Sequence, residues 1–208
     1  MIKFMSLGKI DYKQCYDYQK QLHGLRVEGS IPDTVLFVEH PNIVTTGRTF
    51  INTEIPDRSI LDNNGVSVLK VDRGGSVTYH GPGQLVCYPI IDLSKRKKDI
   101  HIFLDSIEKI VINVLAFYGV KANSLKGQRG VWVDNKKIAS IGIGIKRWVT
   151  YHGVAINLNV DLKYFQMIKP CGYDSSVMIS LDKIIRQEIS LDEFRAIFER
   201  SFKDNFKN

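Results

Sequence analysis

One stretch of the 208-residue chain constrains the fold more than any other. Between Asp99 and Gly119, the residues Ile100, Phe103, Leu104, Ile107, Val111, Val114, Leu115 and Tyr118 recur at helical spacing. Asp99 can cap this helix and Gly119 can end it. It stands between two blocks of strand-like segments, at 34–39, 43–46, 66–71, 77–79 and 85–91 before it and at 131–133, 138–145, 149–151 and 154–160 after it. Asp134-Asn135-Lys136 separates the first two downstream segments and is a hairpin signal. A first helix is expected from Tyr12 to Val27, with Asp11 as cap, Gln14 closing a capping box and Gly29 beyond its end. Tyr12, Cys15, Tyr16, Gln19, Leu22 and Leu25 fall on its core face. A last helix begins at Ser190, with a capping box to Glu193, and carries Phe194, Ile197, Phe198 and Phe202. Long helices among many strands predict an α/β (α+β) protein with a mixed β-sheet flanked by helices. No repeat or low-complexity linker divides the chain, so a single domain over residues 1–208 is expected.

Composition narrows the class. Hydrophobic residues make up 44% and charged residues 25%, values of a globular chain rather than a disordered one. The net charge of +7 favours an acidic partner, either nucleic acid or a negatively charged protein. Cys15, Cys87 and Cys171 are too few and too scattered for a disulfide framework or a zinc site, and an odd count fits a reducing compartment. The opening residues MIKFMSLGKIDYK lack the apolar core of a signal peptide, and nowhere do about 18 apolar residues run together. A cytoplasmic protein without a membrane span is expected.

Chemistry has few places to sit. Residues 73–84, RGGSVTYHGPGQ, interrupt the strands with four glycines and a proline. Such density lets a ligand approach the backbone, with Arg73 and His80 able to meet a carbonyl or an anion; a pair of tight turns is the equal alternative. It is neither a phosphate loop nor a dinucleotide fingerprint, for the glycine spacing matches neither. Cys15 and Cys87 lie in a helix face and a strand, where thiols are buried and inert. Cys171, between Pro170 and Gly172, is held in a turn and is the candidate nucleophile. Lys136 and Lys137 open one strand; alternation sends them to opposite faces, so only one can face a pocket. His152, before Gly153, is either a buried structural histidine or a polar group of the site. The run Lys95-Arg96-Lys97-Lys98 is most simply a solvated loop, with steering of an acidic partner as its other role.

Three long strings carry a resemblance: RGGSVTYHGPGQLVCYPIIDL, GVWVDNKKIASIGIGIKRWVTYHGVAINLN and FQMIKPCG. They closely resemble the lipoyl(octanoyl) transferases of lipoate biosynthesis, and the match extends more weakly to Glu39-His40-Pro41 and Thr46-Gly47-Arg48. The resemblance implies the catalytic-domain fold of the biotin and lipoate ligases. It implies transfer of an octanoyl group from acyl carrier protein to a lysine of a lipoyl domain, through a thioester on Cys171 from the PCG motif, with Lys137 as the catalytic lysine. The acyl-substrate contacts it implies are Arg73, Gly74, Gly75, Ser76, Val77, Thr78, Tyr79 and His80, then Ser140, Ile141 and Gly142, then Gly153, Val154 and Ala155. The implied acceptors are the lipoyl domains of 2-oxoacid dehydrogenase complexes and the glycine cleavage H protein. No ATP, metal or other cofactor, no nucleic acid, no membrane and a monomeric enzyme are expected. Three rivals make different demands. An ATP-dependent ligase on the same fold would form an adenylate and have no use for Cys171, and the biotin-ligase GRGRxGR loop is absent. A single-strand nucleic-acid binder would interleave aromatics with Lys and Arg on a strand, a pattern the chain lacks. A Cys-His hydrolase would use His80 or His152 as base.

Overall fold

The computed structural model describes residues 2–206, the side chain of Cys171 excepted. In chain order the elements are β1 (Ile2–Lys9), α1 (Tyr12–Val27), β2 (Asp33–Glu39), β3 (Ile43–Thr46), α2 (Arg58–Asn63), β4 (Ser67–Lys70), β5 (Val77–His80) and β6 (Gln84–Ile90). They continue as α3 (Ile100–Phe117), β7 (Asn123–Leu125), β8 (Gln128–Val133), β9 (Lys136–Lys146), β10 (Val149–Asn157), α4 (Leu181–Ile185) and α5 (Leu191–Asn205). Seven strands form one sheet in the order β1-β2-β6-β10-β9-β8-β7, and three form a second in the order β4-β3-β5. Both are mixed: β1 runs parallel to β2 and β3 parallel to β4, and the remaining pairs are antiparallel.

Alternation along the central strands sets the layers. On β2, Val35 and Phe37 join the core beneath α3 and α5, while Leu36 and Val38 join the core beneath α1. The α3 stripe is buried at Phe103, Ile107, Ile110, Val111, Val114 and Leu115, each such side chain contributing about 1.5–3 kcal/mol by leaving water. Asp99 caps α3 by accepting from the N–H groups of His101 at 2.7 Å and Ile102 at 3.3 Å. Ser190 Oγ caps α5 through Glu193 N at 3.3 Å. A further core joins the second sheet and α2 to Val160, Phe165, Ile168 and Met178. No helix among the described residues is long and apolar enough to cross a membrane.

The expected mixed sheet flanked by helices is what the chain forms, with local differences. β1, α2, β7 and α4 carry no strong local signal and were not expected. β10 is one strand rather than two, because His152 adopts a φ of 55° without leaving its register opposite Ile143. On α1 the buried residue after Leu22 is Arg26, whose Nε donates to Asp33 at 2.7 Å, and Leu25 is 40% exposed. Arg96 of the basic run is not simply solvated: it pairs with Asp33 at 3.4 Å and lies over the Phe206 ring.

Candidate active site

The hairpin between β8 and β9 places Lys137. Asp134 and Asn135 take φ values of 46° and 63°, the left-handed pair of a two-residue turn whose twist suits the flanking strands. Pairing runs Val133 to Lys136 and Trp132 to Lys137, then jumps so that Val131 faces Ala139. The extra residue is a bulge that breaks alternation and re-aims the Lys137 side chain. Lys137 is 6% exposed, with Nζ 5.3 Å from the centre of the Trp132 ring. Its chain crosses Gly130, where a Cβ would sit 2.6 Å from Lys137 Cε. Across its other edge, Ile179 N donates to Lys137 O at 3.1 Å. Lys136 turns elsewhere and donates from Nζ to Ser176 O at 2.6 Å.

Lys137 lines a cavity of about 410 Å3, within the range of small-molecule sites. The walls come from β6, β9 and β10, from the 73–76 loop and β5, and from the N-terminal ends of α1 and α3. The loop is tied down on two sides. Gly47 N donates to Ser76 O at 2.8 Å and Thr49 N to Gly75 O at 3.2 Å, while Gly74 N donates to Ile143 O at 3.1 Å. That crossing leaves no room at residue 142, where a Cβ would lie 2.7 Å from Gly74 O.

Arg73 and His80 are braces within this wall. Arg73 Nη2 donates to Thr45 O at 2.7 Å and its Nε to Thr45 Oγ1 at 3.2 Å. Thr45 Oγ1 lies 3.4 Å from His80 Nε2, and His80 Nδ1 donates to Gln84 Oε1 at 2.8 Å. The chain continues from Gln84 to Asn157 Oδ1 at 2.9 Å and from Asn157 to Ile179 O at 3.0 Å, next to the strand edge of Lys137. Burial, aided by the charge of Arg73, holds His80 neutral, well below the ordinary histidine range. The first helix adds Tyr16, whose hydroxyl donates to Asp72 at 2.6 Å together with Tyr151 at 2.7 Å and His152 Nε2 at 2.8 Å. Burial raises the Asp72 carboxyl, but these three bonds outweigh it and hold the group well below the carboxylate range. Burial lowers His152 to about 4, and its buried Nδ1 has no hydrogen-bond partner among the described residues.

Cys171 lies in a short 3-10 turn, Pro170–Gly172, and its side chain falls outside the described residues. Its neighbours are placed: Pro170 and Tyr173 line the same cavity as Lys137, and Tyr173 meets the Trp132 ring edge-on at 5.9 Å. Lys169 N donates to Glu54 O at 2.7 Å, and Ser76 Oγ donates to the Glu54 carboxylate, so Glu54 joins the glycine loop to the cysteine turn. Cys15 and Cys87 are buried, and burial pushes their thiols up, to about 12 for Cys15 and well above the ordinary value for Cys87. Such thiols are inert.

Of the expected acyl contacts, Arg73, Gly74, Gly75, Val77, Thr78, His80, Ser140, Ile141, Gly142, Gly153, Val154 and Ala155 line the cavity. Ser76 and Tyr79 do not. Ser76 faces Glu54, and Tyr79 stacks on Tyr164 at 5.0 Å with its hydroxyl donating to Asn42. Sequence reasoning missed Tyr12, Val86, Tyr88, Ile100, Leu104, residues 127–129 and Ile143. Val86 and Tyr88 were within reach, since they alternate on the face of β6 opposite Leu85 and Cys87. Among the described residues no group of three or more His, Cys, Asp or Glu side chains is placed to hold a metal ion.

Known proteins carry the same architecture. The crystal structure of a lipoate-protein ligase A bound with ATP superposes with a TM-score of 0.77 at 17% identity, covering 99% of this chain and 85% of that one. A biotin protein ligase from Aquifex aeolicus, in complex with biotin and ATP, gives a TM-score of 0.60 at 14% identity, over 98% of this chain and 69% of that one. These show the fold. In sequence, an octanoyltransferase of Syntrophobacter fumaroxidans is 40% identical over 96% of this chain and 92% of its own length. Residues 11–203 match the lipoyl protein ligase A/B catalytic domain. With the family's three motifs gathered around one cavity, the chain belongs to the octanoyltransferases of the lipoyl protein ligase A/B catalytic-domain family.

Proposed function

We propose that this octanoyltransferase takes its acyl group from acyl carrier protein and passes it to a lysine of a lipoyl domain through a thioester on Cys171, with Lys137 moving the protons. The observation that supports this most is a shared wall: buried Lys137 and the residues flanking Cys171-Gly172, Pro170 and Tyr173, line one cavity. The Cys171 thiolate attacks the carrier thioester, the bond from the carbonyl carbon to the pantetheine sulfur breaks, and the Lys137 ammonium protonates the departing thiolate. The neutral Lys137 then accepts a proton as the incoming lysine amine attacks the Cys171 thioester. An amide forms, and the Cys171 thiolate leaves. The acceptors in this scheme are the lipoyl domains of 2-oxoacid dehydrogenase complexes and the glycine cleavage H protein, in the cytoplasm.

Magnitudes favour proton transfer over static charge as the task of Lys137. A thiol of ordinary pKa is only about 3% ionised at pH 7. Lowering it by two units raises that fraction roughly 25-fold, but the weaker nucleophile gives back about 6–10-fold. A gain of a few-fold does not account for a transferase. Because the thioester already stores the energy of the amide bond, the scheme calls for neither nucleotide nor metal.

Incubation with octanoyl carrier protein, without ATP and with chelator present, should leave an octanoyl mass on Cys171 that hydroxylamine removes and Cys171→Ser lacks. Lys137→Ala should abolish transfer and Lys136→Ala should retain it. Transfer by Cys171→Ser, or an absolute need for ATP, would overturn the scheme.

A further inference from the structure

The cavity reaches the β7–β8 hairpin and the start of α3. Leu125 pairs with Gln128, so Lys126 and Gly127 form the hairpin tip. Gly127, exposed at the surface, and the half-buried Gln128 and Arg129 line the cavity from the hairpin, and the half-buried Ile100 and Leu104 line it from α3, so that together they form a rim. Arg129 binds the two sides together, with Nη1 2.5 Å from Asp105 Oδ1 and Nη2 3.2 Å from His101 Nδ1. Charge on this rim is lopsided. Its acids are engaged: Asp99 caps α3, Asp105 holds Arg129, and Glu108 accepts from Gly130 N at 3.0 Å. Its lysines are not: Lys97, Lys98 and Lys126 are exposed, and among the described residues no carboxylate lies within ion-pair reach of them. Ile102, 43% exposed on the first turn of α3, adds an apolar spot beside the charges.

We propose that this rim, built on Lys97, Lys98 and Lys126, is the docking surface for the acyl donor, a carrier with an acidic surface that presents its acyl group on a phosphopantetheine arm. The inference rests on the donor named above. With the acyl end inside the cavity, the phosphodiester at the base of the arm stays outside it, and the lysines meet both that charge and the acidic surface behind it. Exposed charges of this kind give little affinity singly, but together they orient the partner and speed encounter. A small acyl-pantetheine, having neither phosphate nor carrier, gains nothing from them.

The two donors separate the effects. In the triple variant Lys97→Glu, Lys98→Glu and Lys126→Glu, the KM for octanoyl carrier protein should rise about tenfold or more at low salt, and its salt dependence should flatten. Acylation by octanoyl-pantetheine should stay at the wild-type rate. An unchanged KM for the carrier would overturn the proposal, as would an equal loss with both donors. Slower deacylation of the preformed acyl-enzyme by a lipoyl domain, with carrier acylation intact, would assign the rim to the acceptor instead and overturn it too. If the wild-type protein takes no acyl group from the carrier at all, the donor assignment itself fails, an outcome distinct from these.

Discussion

Trp132 meets Lys137 across one rung of the β8–β9 ladder, and its buried Nε1 has no hydrogen-bond partner among the described residues. What the indole offers is a face, 5.3 Å from the Lys137 ammonium, and a T-shaped contact with Tyr173, two residues beyond Cys171. With Gly130 two residues earlier on the same strand leaving space for the lysine chain, the pair forms a trough that fixes where the ammonium sits. A desolvated cation over an aromatic ring is held by about 2 kcal/mol. Replacing Trp132 with Leu should lower kcat for Cys171 acylation about tenfold, allowing for partial loss of that term, with KM little changed. Phe should restore much of it. Single-turnover mass spectrometry over a range of carrier concentrations separates the two constants, and a rise in KM alone would remove the positioning role.

At the level of elements, the β8–β9 hairpin carries the site because its turn sets the register that brings Lys137, and not Lys136, to the cavity. Asp134 and Asn135 both sit in the left-handed region, which costs most residues about 1–2 kcal/mol each but is tolerated by Asp and Asn. Asp134→Ala with Asn135→Ala should cost about 1–3 kcal/mol, and Asn135→Gly should cost nothing. Urea unfolding checks both, and equal midpoints for all three proteins would refute the account. This hairpin, α3 and α5 were legible in the sequence because caps, turn residues and apolar period are local signals. β1 was not, since its partner β2 lies more than twenty residues away and its own residues, among them Lys3, Ser6 and Lys9, hide the alternation. β10 was split at His152-Gly153 because contacts from α1, above all Gln19 Oε1 accepting from His152 N at 2.9 Å, hold a conformation that no strand pattern predicts. The cavity was legible mainly through the family strings. Strings do not know which way a strand faces, and so they enrolled Ser76 and Tyr79, whose side chains point into other contacts.

Across the whole molecule, acid should act through histidines before it acts through carboxylates. Three of the five, His40, His80 and His152, are buried, and burial moves His40 and His152 down to about 4 and His80 well below its ordinary value. They sit where α1 meets both sheets: the Tyr12 ring lies 4.8 Å from His40 and 5.4 Å from His80, and Tyr16 stacks on His152 at 5.0 Å. In the unfolded chain a histidine takes up its proton near pH 6.5. Between that value and about 4 the unfolded state binds more protons than the folded one, so stability is fully present above pH 6.5 and declines as pH falls. For His40 and His152 the loss is of order 3 kcal/mol each by pH 4, against a total stability of about 5–15 kcal/mol. Asp72, held below the carboxylate range, adds a loss of the same sign only at lower pH, once its unfolded counterpart would be protonated. Thermal melts should therefore fall steeply between pH 7 and 5. His40→Asn, which keeps a donor for Ile10 O in place of His40 Nδ1, should be less stable at pH 7 yet show a shallower slope. A melting temperature that stays level from pH 7 to 5 would mean that water reaches these rings. Because Tyr12, His80 and His152 also line the cavity, acyl transfer should fail in acid over the same interval as the fold.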